Sequence, residues 1–206
     1  MGLVAAAARP HAGGMAEVLL FHHICGQTPG FLAFADDLRS EGHTVHTPDL
    51  FGGRTFDSIA AGEEYAGKVG FSALLDAGVA EADDLSDDLV YAGFSFGVLP
   101  AQKLAQTRPG ARGALLCYSC VPVDEFGDRW PAGVPVQVHG MDADPIFVGE
   151  GDVEAARELV GQADRGELFL YPGDGHYFAD PADPGFDPRA AELLRARVVG
   201  FLAGLT

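Results

Sequence analysis

Leu89-Val90-Tyr91-Ala92-Gly93-Phe94-Ser95-Phe96-Gly97-Val98-Leu99 decides how the rest of this chain is read. Four apolar residues form a run of the kind buried in a sheet interior, and a helical pattern to Thr107 begins at Phe96. Between them stands Gly93-Phe94-Ser95-Phe96-Gly97, a G-x-S-x-G at a strand-to-helix turn. Such a turn is sharp and strained. It lifts the serine hydroxyl above the sheet, and small residues two positions to either side let strand and helix pack closely. Pro100 lies near the first turn of the following helix, where a missing backbone donor is tolerated.

Outward from that turn, strand-like and helix-like segments alternate. Val18-Leu19-Leu20-Phe21 reads as the first strand and Pro29 to Arg39 as the helix after it, closed by Glu41-Gly42. His43 to Thr47 is the second strand, stopped by Pro48. Leu89 to Ala92, Ala114 to Tyr118, Val134 to Val138 and Leu168 to Tyr171 follow, with helices over Val153 to Val160 and Arg189 to Leu202. Repeated β-then-α order implies parallel strands with right-handed crossovers, hence a three-layer, doubly wound α/β sheet. In such sheets functional residues lie in loops at the carboxyl ends of strands. Residues 51–88, rich in Gly, Ala and acids, are the least regular part and are expected to hold two helices beside or over the site.

A serine hydroxyl needs a base to take its proton. His176, in Tyr171-Pro172-Gly173-Asp174-Gly175-His176, lies between the last strand and the last helix and is the candidate. The base in turn needs a carboxylate to fix its tautomer and stabilise its cation. The segment Val138-His139-Gly140-Met141-Asp142-Ala143-Asp144-Pro145 offers Asp144 and, as second choice, Asp142. Asp144 is preferred because Pro145 restricts its backbone to an extended form. The order Ser, Asp, His along the chain is that of G-x-S-x-G hydrolases. Two backbone donors for a developing oxyanion are expected at Phe96 and, in the loop after the first strand, at Ile24. Their neighbours His23, Cys25, Phe94 and Tyr177 are expected to line a substrate pocket.

Composition narrows the function classes. The 206 residues suit one domain, without a large lid, over 15–206 after a disordered extension at 1–14, with Met15 a candidate alternative start. Thirteen Lys and Arg against thirty Asp and Glu give a formal charge of −17, a field that repels nucleic acid and anionic membranes. No apolar run approaches membrane-spanning length and the first residues lack a signal-peptide core, so a cytoplasmic protein is expected. Cys25, Cys117 and Cys120 are too few for a disulfide framework, and Cys117-Tyr118-Ser119-Cys120 sits at the end of an apolar strand rather than at a helix N-terminus. His139, Asp142 and Asp144 lack further ligands at sensible spacing, so no metal is expected. No organic cofactor is required either.

Several ordered segments together resemble the dienelactone hydrolase family. Leu20-Phe21-His22-His23-Ile24-Cys25-Gly26-Gln27-Thr28-Pro29-Gly30 is similar to that family's first strand and loop. Gly42-His43-Thr44-Val45-His46-Thr47-Pro48-Asp49-Leu50 is similar to its next strand, and Tyr171 to Phe178 to its histidine motif. The resemblance covers nearly the whole chain from Glu17. It implies a lidless α/β-hydrolase with a Ser or Cys nucleophile, an Asp and a His, acting on lactones or other small esters. Its best-known members use cysteine where this chain has Ser95, and a glutamate that helps to control the thiol where it has His23. The arginine with which members hold a dienelactone carboxylate has no counterpart in residues 51–88, Arg54 being the nearest basic residue. The expected protein is therefore a serine hydrolase of small-molecule esters or lactones, a monomer or homodimer. The alternatives are a non-catalytic binding or sensor protein of the same fold, and a thioesterase or acyltransferase using the same residues.

Overall fold

The computed structural model describes residues 14–205; the extension expected at 1–14 therefore lies, apart from Gly14, outside the described residues. Among the described residues six strands form one sheet in the order β2-β1-β3-β4-β5-β6, every neighbouring pair parallel. They are β1 (Glu17–Phe21), β2 (Thr44–His46), β3 (Val90–Phe94), β4 (Gly113–Cys117), β5 (Val136–Met141) and β6 (Gly166–Tyr171). The helices are α1 (Pro29–Ser40), α2 (Ile59–Val69), α3 (Phe71–Ala80), α4 (Val98–Thr107), α5 (Asp152–Gln162) and α6 (Pro188–Ala203). All six expected strands and the expected helices are present, including two in residues 51–88.

The three layers follow from the two-residue period of the strands. Val18, Leu20, Val90, Ala92, Leu115 and Cys117 face one way, into a core shared with Phe31, Ala35 and Leu38 of α1 and Leu194, Val198 and Phe201 of α6. Leu19, Phe21, Tyr91, Ala114, Leu116, Val136 and Val138 face the other way, against Val98, Ala101 and Leu104 of α4 and Val153, Ala156 and Leu159 of α5. Central strands β3, β4 and β5 are buried on both faces, which is why they read as continuous apolar runs. Burying each Leu or Val side chain contributes about 1.5–3 kcal/mol.

Boundaries moved where a special residue intervened. The fifth strand starts at Val136 because Pro135 has no N–H to give a ladder, and it runs on to Met141, which places His139 inside the sheet. The third strand continues through Gly93 to Phe94, and α4 begins only at Val98. A single 3-10 turn over Ser95–Gly97 separates them. Helix starts are capped by side chains: Thr28 accepts from Phe31 N–H, Ser58 from Ala61 N–H and Asp187 from Arg189 and Ala190 N–H. Pro29 and Pro188 occupy the first helical positions.

The turn between β3 and α4 is the tightest place in the fold. Ser95 has φ of +49°, in the left-handed region that L-residues with a side chain rarely enter. A methyl on Gly93 would lie 2.1 Å from Gly97 O, and one on Gly97 would lie 2.5 Å from Phe21 O and 2.6 Å from His22 O. Both glycines are therefore needed so that the turn can fold onto itself and seat against the end of β1. Gly97→Ala is expected to destabilise the protein by at least about 2 kcal/mol, because the obstacles are backbone atoms of a central strand and cannot rotate away. A urea midpoint equal to that of the wild type would contradict this reading of the contact.

Candidate functional site

Ser95, Asp144 and His176 stand in the loops after β3, β5 and β6, and the fold brings all three together. Ser95 Oγ is 2.9 Å from His176 Nε2, and His176 Nδ1 is 2.7 Å from Asp144 Oδ2. The second Asp144 oxygen accepts from Ile146 N–H at 2.9 Å, and the residue is fully buried. With Asp144 ionised, Nδ1 carries the imidazole proton and donates it to the carboxylate. Nε2 is then left as acceptor for the serine O–H.

Local packing explains why Asp144 reaches the imidazole. Phe147 lies over Gly140, where a methyl would meet its ring at 2.4 Å, and it folds the loop after β5 back onto the strand. Val148 N–H bonds to Asp144 O and Val153 N–H to Phe147 O, which fixes that loop. Asp142, two residues earlier, is exposed and accepts from Gly173 N–H at 3.1 Å. It ties the loop after β5 to the loop after β6 and does not reach the imidazole. His139 is occupied elsewhere, its nitrogens paired with Tyr171 OH and Gln137 Oε1, so His139, Asp142 and Asp144 do not converge on one point.

The loop after β1 is held by a chain of hydrogen bonds. His23 Nδ1 accepts from Cys25 N–H at 3.2 Å, and its Nε2 lies 3.3 Å from Thr28 Oγ1. The Thr28 hydroxyl donates to Asp180 Oδ2 at 3.0 Å while also capping α1. Burial pushes the His23 pKa down to about 4, so its ring is neutral and keeps Nδ1 free to accept. Cys25 is pushed up to about 11 by burial, and its thiol stays protonated. Cys117 and Cys120 are buried free thiols whose pKa values burial also raises, which leaves no low-pKa thiolate in the C-x-x-C.

Residues 51–62 back this loop from behind. Phe56 N–H bonds to Cys25 O at 3.0 Å, Gly26 (φ +84°) sits against Arg54 O, and Gly62 of α2 lies directly against Ile24 O. Ile24 and Phe96, the two expected backbone donors, are both buried. The Arg54 guanidinium lies over the Tyr65 ring at 5.6 Å.

A cleft of about 310 Å³ opens beside the loop. It is lined by His23, Cys25 and Tyr177 together with Thr28, Phe56, Asp57, Ile59, Asp180 and Asp183. Phe94 lies instead in a smaller hollow with Phe31, Phe34 and Tyr118, which also touches His23 and Tyr177. Tyr118, Thr28 and Asp180 were not among the residues singled out from sequence, whereas His23, which Thr28 joins to Asp180, was. Tyr118 has φ of +72°, is buried, and packs 5.8 Å from the His176 ring and 5.2 Å from Phe94. An aromatic residue at a strand end reads as core, and its unusual φ leaves no mark in the sequence.

The sequence model of the dienelactone hydrolase family matches residues 3–205. No curated protein matches the chain significantly. Among solved structures, a protein assigned as a dienelactone hydrolase from Klebsiella pneumoniae superposes with a TM-score of 0.67 at 20% identity, over 93% of this chain and 88% of that one. A dienelactone hydrolase-like promiscuous phosphotriesterase from metagenomic libraries gives 0.70 at 19%, over 94% and 88%. A thioesterase of the prodiginine pathway in Streptomyces coelicolor gives 0.60 at 18%, over 100% and 91%. At these identities the likeness establishes the α/β-hydrolase fold. No helix among the described residues is long and apolar enough to cross a membrane.

The buried imidazoles make stability depend on pH. Burial lowers the pKa values of His22, His23 (to about 4) and His139 (to about 3) from an ordinary 6.5. Between those values the unfolded chain binds protons that the folded chain refuses, so stability falls as pH falls from 6.5 towards 4. Each unit of depression is worth about 1.4 kcal/mol. The urea midpoint is expected to be lower at pH 5 than at pH 7, measured in about 0.5 M salt to screen the acidic surface; an equal or higher midpoint at pH 5 would refute it.

Proposed function

The chain belongs to the dienelactone hydrolase family, and from that premise we propose that it is a serine hydrolase of small neutral esters or lactones. The observation that carries this reading is the continuous hydrogen-bonded line Ser95–His176–Asp144, with distances of 2.9 and 2.7 Å, in a protein whose fold presents the serine on a strained turn.

The chemistry follows from the tautomer. Ser95 Oγ attacks the ester carbonyl as its proton passes to His176 Nε2, and Asp144 stabilises the resulting imidazolium. Phe96 and Ile24 N–H groups hold the oxyanion. His176 then gives its proton to the leaving oxygen, and the acyl-enzyme forms. Water, deprotonated by the same His176, attacks the acyl carbon, and collapse of the second tetrahedral intermediate returns the proton to Ser95. The protonated, buried Cys25 beside the site takes no nucleophilic part. His23 holds the oxyanion loop through Cys25 N–H, so the position that carries a glutamate in cysteine-dependent members serves here as a neutral acceptor.

Substrate charge is read from the cleft taken as the approach to Ser95, which shares His23, Cys25 and Tyr177 with the site although Ser95 and His176 do not line it. Asp57, Asp180 and Asp183 line it, and Arg54 packs on Tyr65 instead. A carboxylate-bearing substrate would enter against three like charges and find no guanidinium, which disfavours dienelactone itself.

Intact-mass labelling with a fluorophosphonate is expected to add one adduct to the wild type and none to Ser95→Ala. Failure of the folded wild type to label would remove the serine mechanism. Asp144→Asn is expected to lower kcat about 10³–10⁴-fold by spoiling the imidazole tautomer, whereas Asp142→Asn stays within a few-fold of wild type. Equal losses in the two variants would reassign the acid.

A p-nitrophenyl ester of butyrate should exceed the corresponding monoester of succinate in kcat/KM by about tenfold at low salt, with the gap narrowing as salt rises. A preference for the succinate ester would overturn the charge argument and leave the serine mechanism standing.

A further inference from the structure

Resting on the serine-hydrolase reading, we propose that the Tyr177 hydroxyl is a side-chain donor to the oxyanion of the reacting carbonyl, acting with the backbone N–H groups of Ile24 and Phe96. Tyr177 follows the candidate base directly, and three contacts fix its ring. It stacks on His23 with centroids 4.4 Å apart and planes at 26°, lies 4.7 Å from the His176 ring, and lies 5.9 Å from Tyr118. The residue is 4% exposed.

Its hydroxyl is nevertheless unpartnered. The oxygen is buried and makes no well-formed hydrogen bond among the described residues, although the Ser95 and Cys25 side chains approach it. It lies beside the side chains of Ser95 and Cys25. A phenol withdrawn from water without a partner is a net cost to the fold, and sites of reaction are where such groups persist. Two other buried tyrosine hydroxyls show the contrast: that of Tyr91 takes a hydrogen bond from Arg108, and that of Tyr171 pairs with His139.

The surroundings decide the direction of any bond it makes. Ser95 spends its proton on His176 Nε2, so it presents only lone pairs to the phenol. Burial raises the Tyr177 pKa, so the hydroxyl keeps its proton throughout the working range and acts as a neutral donor. Cys25 is the residue after Ile24, the donor expected from the β1 loop. The hydroxyl thus adjoins both Ser95 and the loop expected to supply that N–H, and an oxyanion held by that loop would form beside it. The His23 ring, itself fixed by Thr28 and Cys25 N–H, is the platform that holds the phenol there. Donation to the oxyanion leaves the ground state little changed and satisfies the phenol in the transition state, the pattern that raises kcat.

Tyr177→Phe keeps the ring stack and removes only the hydroxyl. Its kcat on p-nitrophenyl butyrate is expected to fall about 100-fold with KM within twofold of wild type. Its Ki for an aliphatic trifluoromethyl ketone, which forms an adduct resembling the tetrahedral intermediate, is expected to rise by a similar factor. The thermal midpoint is expected to stay equal or rise, since a buried unpartnered hydroxyl has gone. A kcat within twofold of wild type would overturn the proposal, as would a fall in kcat with an unchanged Ki, which would make Tyr177 a positioning residue for Ser95. If Tyr177→Phe lost its fold, Tyr177→3-fluorotyrosine would replace it: a more acidic phenol should bind the ketone at least as tightly as wild type, and weaker binding would overturn the proposal. A wild type labelled at Ser95 whose activity survives Tyr177→Phe leaves the serine mechanism intact. A wild type that neither labels nor turns over esters removes both.

Discussion

The seating of the β3–α4 turn against the end of β1 is the constraint from which the rest of the site follows. Gly97 stands within contact of the Phe21 and His22 carbonyls, and Gly93 within contact of Gly97, so no side chain fits at either position. That closeness forces Ser95 to φ +49° and puts its hydroxyl above the sheet. It also brings the loop after β1 alongside Ser95, because β1 and β3 are neighbours in register from Val18–Val90 to Phe21–Gly93. Strain at one residue is sustained by two buried strands and a helix packed behind it, as strained functional residues require.

Around this turn the protein keeps its histidines apart in role. His22, His23 and His139 are buried, neutral and engaged as structural acceptors or donors, each holding one loop or strand to another. Among the described residues only His176 has a carboxylate against one nitrogen and a hydroxyl against the other. Sequence alone presents seven histidines of equal chemistry. The environment distinguishes them: burial outweighs the nearby Asp49 and Asp180 and disfavours the charged forms of His22 and His23, while His176 alone among the described histidines bridges a hydroxyl and a carboxylate.

The loop after β1 is held by a hydrogen-bond chain of its own. Where the best-known members of the family carry a glutamate this chain has His23, and the loop is tied through Thr28, the α1 cap, to Asp180. Residues 51–62 then close it from the outer side through Phe56, Arg54 and Gly62. The stretch between β2 and β3 is thus a support for the site, and Arg54 within it is committed to an aromatic ring rather than to the cleft.

Much of this was legible in the residues. Apolar runs bounded by Gly and Pro located six strands, the order of β and α segments gave a parallel doubly wound sheet, and G-x-S-x-G marked the turn between β3 and α4. The preference for Asp144 over Asp142 came from Pro145, a local backbone effect that sequence carries. Tertiary structure alone decided the rest. That Asp142 tethers Gly173, that His139 lies in the sheet, that Tyr118 adopts a positive φ and that Tyr177 has an unpartnered hydroxyl all depend on contacts between segments distant along the chain. Sequence records periodicity and backbone preference, which are local. Which buried polar atom finds a partner is fixed only when the loops at the ends of five strands meet.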